Sequence, residues 1–153
     1  MQKSRTRIEV SVKKQELKLR SGRRILRRYK ISTSRFGLGT EHGSNRTPLG
    51  RFCISDKIGG GAPSGTVFVG RVALAPGAPL PPTSDLILSR IMWLEGLDPE
   101  NANTRDRYIY IHGTRHEQKI GSPDSHGCIR MRSADIIELF DLVGVDTPVT
   151  IQA

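Results

Sequence analysis

Residues 107–131, RYIYIHGTRHEQKIGSPDSHGCIRM, carry the features that decide the fold and the chemistry expected of this chain. The run of apolar and aromatic side chains at 107–111 predicts a strand that is buried on both faces. His112 stands at the end of this strand, which makes a stiff mount for a group that moves a proton. Twelve residues then separate it from the segment 125–128, Ser-His-Gly-Cys, in which a thiol follows a glycine. This arrangement favours a nucleophilic cysteine over a structural one.

A cysteine nucleophile needs a base within hydrogen-bond reach, a group that orients the base, and backbone N–H donors for the oxyanion. Cys128 is the candidate nucleophile and His112 the candidate base. Gly127 permits a sharp turn and a close approach of the backbone, so that N–H groups can converge there. Arg130 adds a cation suited to a substrate carboxylate. The nearby imidazole and guanidinium are expected to lower the pKa of the Cys128 thiol.

Alternating apolar and polar residues predict that the chain is mainly β. The pattern predicts a hairpin at 7–12 and 16–20, and further strands at 24–31, 50–55, 66–69, 107–111 and 148–152. About two short helices are expected. One begins at a cap on Ser84 or Asp85 and runs to about residue 94, and the other covers 134–143 after an N-cap at Ser133.

The length of 153 residues predicts a single domain over 1–153, which is long enough to bury a core without disulfides. Apolar residues make up 36% of the chain, and the sequence predicts neither a transmembrane helix nor a signal peptide. The expected location is therefore the cytoplasm, or the periplasm if an export segment has been removed. Cys53 and Cys128 are expected to be free thiols, and the protein is expected to be a monomer with no membrane partner.

The net charge of +9 is concentrated in the first part of the chain. Residues 1–36 contain 13 Lys and Arg against two Glu, which gives +11, and the other residues sum to −2. The basic residues alternate with apolar ones, so the simplest interpretation is the solvated face of half-buried strands. An anionic substrate or wall polymer and a nucleic acid are the alternatives. No aromatic platform interleaves the basic residues, which argues against nucleic acid as a partner.

His112 together with the segment 125–130, Ser-His-Gly-Cys-Ile-Arg, resembles the catalytic motif of the L,D-transpeptidase (YkuD) family, with a slightly shorter spacer. The resemblance continues upstream in the correct order. Residues 8–19 are similar to the family's opening hairpin, 31–33 to the strand after it, and 47–52 to its Thr-Pro-x-Gly-x-Phe signature. The resemblance covers nearly the whole chain and implies a YkuD-like β-sandwich of mixed sheets.

The resemblance also implies a role for each residue of the motif. Cys128 would be the nucleophile and His112 its base, oriented by the backbone carbonyl of Gly113 instead of an acidic side chain. N–H groups around Gly127 and Cys128 would hold the oxyanion. Substrate-binding roles would fall to His126, Arg130 and Ser125. No cofactor is implied.

By the same resemblance, the substrate would be a peptidoglycan stem tetrapeptide, free or in a muropeptide. The bond attacked would lie between the third, L-centred residue and D-Ala, and the intermediate would be a thioester. Water as acceptor would give a trimmed tripeptide, as in an L,D-carboxypeptidase of peptidoglycan recycling, whereas an amine acceptor would give a crosslink or an exchanged D-amino acid. Because released peptides in the cytoplasm meet few wall-bound amines, the expected acceptor is water.

Two other classes of function remain open from the residues alone. His112, His116, His126 and Cys128 have the right types and number for a zinc site, although the strand before Gly113 disfavours a helical pair of ligands. A non-catalytic module that binds wall polymer or nucleic acid through the basic N-terminal segment is the second alternative.

Overall fold

The computed structural model describes residues 5–83 and 85–153, and within them the chain is mainly β, as predicted. The strands are β1 (Thr6–Ser11), β2 (Glu16–Ser21), β3 (Arg24–Lys30), β4 (Gly50–Ile58), β5 (Val67–Val69), β6 (Val72–Ala73), β7 (Ile87–Gly96), β8 (Tyr110–Gly113), β9 (Ile129–Met131) and β10 (Pro148–Gln152). The α-helix is α1 (Ser133–Leu142), and short 3₁₀ turns cover Pro99–Asn101, Arg105–Arg107 and Glu117–Lys119.

The strands form one mixed, continuously hydrogen-bonded sheet. Its order is β3-β2-β1-β10-β4-β7-β5-β6, while β8 pairs with β7 and also with β9. The β1–β10 and β8–β9 pairs are parallel, and the other pairs are antiparallel. Strand β7 is paired along both edges, since Ile91 lies opposite Ile58 of β4 and His112 of β8. The predicted strands at 7–12, 16–20, 24–31 and 148–152 are confirmed to within about a residue at each end.

Strand β7 separates two apolar clusters. Met92 and Leu94 belong to the main core, which also contains the buried face of α1. Ile91 and Trp93 belong to a smaller cluster on the opposite face, against which Cys128 packs. This follows from the two-residue period of a strand, which sends alternate side chains to opposite faces. The motif cysteine therefore lies on the face of the sheet opposite to α1.

The predicted helix from Ser84 or Asp85 to residue 94 is wrong, because residues 87–94 of this range lie in the strand β7. Ser84 lies outside the described residues. Ser89 adopts a left-handed backbone with φ +75°, and the β7–β8 register shifts between Leu88 and Ile91. Because of this bulge, the apolar residues Leu88 and Ile91 are three positions apart instead of two, which is a spacing typical of a helix. Burial on both faces removes the polar alternation that marks a half-buried strand.

Two predicted element boundaries also change. Ser133 is the first residue of α1 and not its N-cap, and its backbone N–H donates to Glu117 Oε2 at 2.8 Å. A carboxylate distant in sequence thus provides the partner expected from the serine hydroxyl. The strand predicted at 107–111 begins only at Tyr110, because Tyr108 takes a left-handed conformation with φ +57° after a 3₁₀ turn.

Most described basic residues of the N-terminal segment lie at exposed or half-exposed positions of β1–β3 and their turns. Ile8 and Leu17 are fully buried in these strands, whereas Arg24, Arg27 and Arg28 are exposed. This arrangement supports the solvated-face interpretation of the charge. The absence of a nucleic-acid partner stays a prediction. In the described part of the chain, no helix is long and apolar enough to span a bilayer.

A buried glutamine connects the first hairpin to the segment that carries the motif. Gln15 Nε2 donates to Thr33 Oγ1 at 2.7 Å and to Val12 O at 2.8 Å, and its Oε1 accepts from Thr33 N at 3.0 Å. The carbonyl of Thr33 in turn accepts from the backbone N–H of Ser125 at 2.9 Å. The N-terminal hairpin therefore helps to hold the start of the Ser-His-Gly-Cys segment.

We expect Gln15→Ala to lower the free energy of unfolding by about 2 kcal/mol, because it leaves the buried polar groups of Thr33 without partners. Urea denaturation would measure this effect. Lys14→Ala is the matched control, since Lys14 is exposed in the same turn, and it should change stability by less than about 0.5 kcal/mol. Equal effects of the two substitutions would show that the Gln15 contacts contribute nothing.

Candidate active site

The site forms where β8 and the segment before β9 run side by side. In the parallel β8–β9 pair, His112 lies opposite Arg130. Cys128 comes directly before β9, and its Sγ accepts a hydrogen bond from the backbone N–H of Tyr110 at 3.3 Å. The structure thus brings His112, Cys128 and Arg130 to one place, although twelve residues separate the histidine from the Ser-His-Gly-Cys segment.

The Ser-His-Gly-Cys turn is closed by its own serine. Ser125 Oγ donates to the carbonyl of Cys128 at 2.6 Å and accepts from the backbone N–H of Gly127 at 3.2 Å. Gly127 has φ +123°, and a Cβ there would lie 3.3 Å from the carbonyl oxygen of Arg46. Thr47 Oγ1 donates to the Gly127 carbonyl at 3.0 Å. The glycine therefore fits a conformation and a space that a larger residue does not.

These contacts correct two expected roles. The Gly127 N–H already has an acceptor in Ser125 Oγ, so it is not a free oxyanion donor in this conformation. Ser125 is fully buried, and its hydroxyl holds the turn instead of facing a substrate. In this structure, both residues hold the backbone turn before Cys128.

The sulfur of Cys128 lies between two backbone groups. The thiol donates to the carbonyl of Tyr108 at 3.4 Å, while the N–H of Tyr110 points at the sulfur. Burial raises the pKa of the Cys128 thiol to about 12, against smaller lowering effects of the Tyr110 N–H, Arg130 and Arg107. The expectation of a lowered thiol pKa is therefore wrong for this structure. Cys128 is a neutral thiol at neutral pH.

His112 is buried, with 1% of its surface exposed. Its Nδ1 lies 2.6 Å from the carbonyl oxygen of Gly113. A carbonyl can only accept, so Nδ1 carries the proton and Nε2 is left in the unprotonated form that a base requires. Burial also lowers the pKa of His112 below its ordinary value of 6.5. Gly113 itself is restricted, because a Cβ there would lie 2.6 Å from the carbonyl oxygen of Leu88.

Arg130 is not available to a substrate in the way expected. Its side chain is 3% exposed and pairs with Asp85 through Nη2 at 2.8 Å and with Asp124 through Nη1 at 2.8 Å. Two carboxylates already occupy the ends of the guanidinium. A substrate carboxylate would have to displace one of them, so these contacts disfavour the predicted substrate contact of Arg130, which stays a prediction.

Asp85 is the site residue that the sequence analysis missed. Besides Arg130, its carboxylate contacts His126 Nδ1 at 3.1 Å. Its own pKa is lowered, because His112, Arg130 and His126 together outweigh the raising effect of its burial. Asp85 Oδ1 and Arg130 Nε have no hydrogen-bond partner among the described residues, although Oδ1 lies 2.8 Å from Arg130 Nη2. Asp85 therefore offsets the positive charge of Arg130, although one of its carboxylate oxygens makes no hydrogen bond to a described residue.

His126 is held from both ring nitrogens. Nδ1 faces Asp85, and Nε2 lies 2.8 Å from Arg35 Nη2. Because Arg35 can only donate, Nε2 is the acceptor and Nδ1 donates to the carboxylate. The imidazole also stacks at 5.8 Å on Phe36. His126 lines a cavity of about 240 Å³ together with Tyr108. This position is consistent with the predicted substrate contact, which stays a prediction.

The four residues of the alternative zinc site do not form a metal-binding group in this structure. Nδ1 of His112 is used by Gly113, and both ring nitrogens of His126 have protein partners. No group of three or more His, Cys, Asp or Glu suited to a metal ion occurs at 5–83 or 85–153. A larger cavity of about 540 Å³ lies in the 39–46 loop and includes none of the predicted site residues.

We expect Asp85→Asn to destabilise the fold by about 2 kcal/mol, because it removes the charge from one of the two carboxylates that hold buried Arg130. The lowered pKa of Asp85 means that its contribution is present at neutral pH and is lost as the pH falls through that lowered pKa. Urea denaturation at neutral and acidic pH would measure the difference between wild type and variant. A difference that stays the same down to acidic pH would contradict this role.

Comparison with known proteins agrees with this geometry. Residues 5–151 match the family model of the L,D-transpeptidase catalytic domain, YkuD. "Putative L,D-transpeptidase YqjB" of Bacillus subtilis is 38% identical over 69 residues, which cover 38% of this chain and 39% of that protein.

The fold is similar to solved structures of L,D-transpeptidases. One from Mycobacterium smegmatis has a TM-score of 0.67 at 18% identity, and it covers 97% of this chain and 59% of its own. One from Xylanimonas cellulosilytica has a TM-score of 0.65 at 18% identity, with 97% and 61% covered. L,D-transpeptidase 3 of Mycobacterium tuberculosis, with a faropenem-derived adduct, has a TM-score of 0.63 at 14% identity, with 97% and 60% covered.

The chain thus spans about 60% of the length of these solved relatives. The family match, however, extends over nearly the whole chain and includes every residue of the site described above. The chain belongs to the L,D-transpeptidase catalytic domain (YkuD) family.

Proposed function

We propose that this protein is a single catalytic domain that cleaves peptidoglycan stem tetrapeptides before the terminal D-Ala through a thioester on Cys128. The observation that carries the proposal is the hydrogen bond between His112 Nδ1 and the carbonyl of Gly113. It fixes the imidazole in the one tautomer that can take a proton through Nε2, beside the strand segment that holds the thiol. Membership of the L,D-transpeptidase family supports the substrate class.

Acylation begins from the neutral pair. The Cys128 thiol gives its proton to Nε2 of His112 as the sulfur attacks the carbonyl carbon of the third residue of the stem. The tetrahedral oxyanion collapses, and His112 returns the proton to the nitrogen of the departing D-Ala. The products of this half-reaction are a thioester and a free amino acid.

The backbone of the Cys128 turn and the neighbouring cations would stabilise the charge that develops. Arg130 and Arg107 both act electrostatically on the sulfur in the direction that favours its anion. Since the Gly127 N–H is engaged by Ser125, we assign the oxyanion contact in this turn to the N–H of Cys128 itself. This arrangement concentrates stabilisation on the transition state, because the resting thiol stays protonated.

For the second half-reaction we propose water, which needs no binding site of its own. His112 would take a proton from water as it attacks the thioester, and Cys128 would leave as the thiol. This activity would be that of an L,D-carboxypeptidase, which acts on released peptides. The names of the similar proteins favour a second candidate, transpeptidation, in which an amine attacks the same thioester.

We expect the wild type and Cys53→Ala to convert a tetrapeptide into tripeptide and free D-Ala, and Cys128→Ala to leave it intact. The physical reason is that only Cys128 lies in the turn beside the base, whereas Cys53 is a half-buried residue of β4. Mass spectrometry of the products, with and without an added D-amino acid, would measure both half-reactions.

The outcomes of this experiment separate the hypotheses. Turnover by Cys128→Ala would overturn the nucleophile assignment. If D-amino-acid exchange products or dimers dominate at a low concentration of acceptor, the activity is transpeptidation and not hydrolysis. A relative carries a faropenem-derived adduct, so intact-mass measurement with faropenem gives a second readout, in which the adduct should form on Cys53→Ala and not on Cys128→Ala.

The pKa directions predict the pH dependence. The kcat/KM should be flat around neutral pH and fall as the pH drops through the pKa of His112, which lies below 6.5. In Cys53→Ala, iodoacetamide should alkylate Cys128 at least about ten-fold more slowly at pH 7 than a free cysteine, because a thiol with a pKa of about 12 holds little thiolate.

The alkylation rate should also keep rising with pH beyond 9, since the thiolate fraction is still growing there. A plateau at neutral pH would show a preformed thiolate and would contradict the neutral-pair mechanism. Free cysteine alkylated under the same conditions is the control for the reagent.

A further inference from the structure

Arg71 lies near the nucleophile, and its charge has no carboxylate partner among the described residues; a phenol hydroxyl and two aromatic rings hold it instead. Arg130 pairs with two carboxylates, Arg35 contacts an imidazole, and Arg107 donates to backbone carbonyls of the 39–46 loop. Arg71 is partly exposed and forms no ion pair with any residue of the described chain. Its hydrogen bond is from Nη1 to the hydroxyl of Tyr110, at 3.2 Å. The rest of the guanidinium fork is left for another acceptor.

The residues that position Arg71 are the ones that contact the sulfur. The carbonyl of Tyr108 accepts from the Cys128 thiol and the N–H of Tyr110 donates to its sulfur. The guanidinium carbon of Arg71 lies 5.5 Å from the centre of the Tyr108 ring and 4.8 Å from that of Trp93. An acceptor bound to Arg71 would therefore be separated from the Cys128 sulfur by Tyr108 and Tyr110.

Arg71 has a strained backbone conformation. Gly70 and Arg71 form the two-residue turn between β5 and β6, with φ +56° and +67°. Both central positions of such a hairpin turn favour Gly, Asn or Asp, because a side chain is strained at positive φ. An arginine at the second position is therefore unusual. Strained residues of this kind concentrate at functional sites.

We propose that Arg71 binds a carboxylate of the donor peptide and so orients the peptide over Cys128. This inference rests on the proposed function. The planar fork of an arginine matches a carboxylate in two parallel hydrogen bonds, and the aromatic faces of Trp93 and Tyr108 hold the fork in place. The candidate carboxylates are the terminal one of D-Ala and those farther back along the stem.

The test compares wild type, Arg71→Gln and Arg71→Lys on a stem tetrapeptide and on versions in which each carboxylate is amidated in turn. We expect Arg71→Gln to raise the KM of the unmodified peptide about ten-fold with kcat nearly unchanged. Arg71→Lys should recover part of this loss, because an ammonium keeps the charge and loses the fork. Amidation of the carboxylate that pairs with Arg71 should raise the KM of the wild type by about the same factor. The same amidation should leave the KM of Arg71→Gln unchanged.

Arg105→Gln is the matched control. Arg105 also lies over the Trp93 ring, at 3.9 Å, but its charge is paired with Asp56 at 3.1 Å. The substitution Arg105→Gln also removes a positive charge above the Trp93 ring. The KM of this variant should stay within about two-fold of the wild type. The rate of Cys128 alkylation by iodoacetamide should be the same in Arg71→Gln as in wild type, which checks that the nucleophile is intact.

The inference is overturned if the KM of Arg71→Gln stays within two-fold of wild type. It is also overturned if every amidated peptide raises the KM of the variant as much as it raises that of the wild type. Both results leave the proposed function standing, since the wild type still releases D-Ala. A wild type that releases no D-Ala from any of the peptides overturns the proposed function, and this inference with it.

Discussion

The parallel pairing of β8 with β9 is the constraint on which the site depends. Parallel neighbours cannot be joined by a tight turn, so the chain between them must make a long connection before it returns. That connection brings Cys128 back beside Tyr110 and sets His112 opposite Arg130. A shift of one residue in this register would turn His112 to the other face of the sheet. Strand β7, which pairs with β8, and the first hairpin, which holds Thr33 beside Ser125, support this alignment.

The electrostatics of the site favour a resting state without a thiolate. Burial lowers the pKa of His112 and raises that of Cys128, so both groups are neutral at pH 7. Asp85 acts in the same direction on the thiol, because its negative charge opposes a second one nearby. In the proposed mechanism, the proton transfer would therefore be coupled to attack on the carbonyl. The half-buried carboxylate of Asp85, paired with Arg130 and His126, offsets the positive charge beside Cys128.

The sequence predicted the parts of this protein that depend on local pattern. The hairpin of β1 and β2 follows from a period of two. The motif predicted that the segments of His112 and Cys128 come together, and the parallel β8–β9 pair places these segments side by side. Strand β7 was missed because Ser89 inserts a bulge into an otherwise apolar run. Asp85 was missed because its partners come from the distant β9 segment, and no spacing along the chain encodes a contact across the sheet.

The two arginines that meet this site show why residue type alone does not assign a binding role. Arg130 stands in the motif, yet its burial requires partners, and two carboxylates already provide them. Arg71 stands outside the motif in a turn between two short strands, where solvent can solvate the charge until an anion replaces the water. Burial converts a cation into a structural element, since an unpaired charge there is too costly to keep. A cation that is to bind a transient partner must stay partly exposed, held by groups that do not neutralise it, and the rings of Trp93 and Tyr108 are such groups.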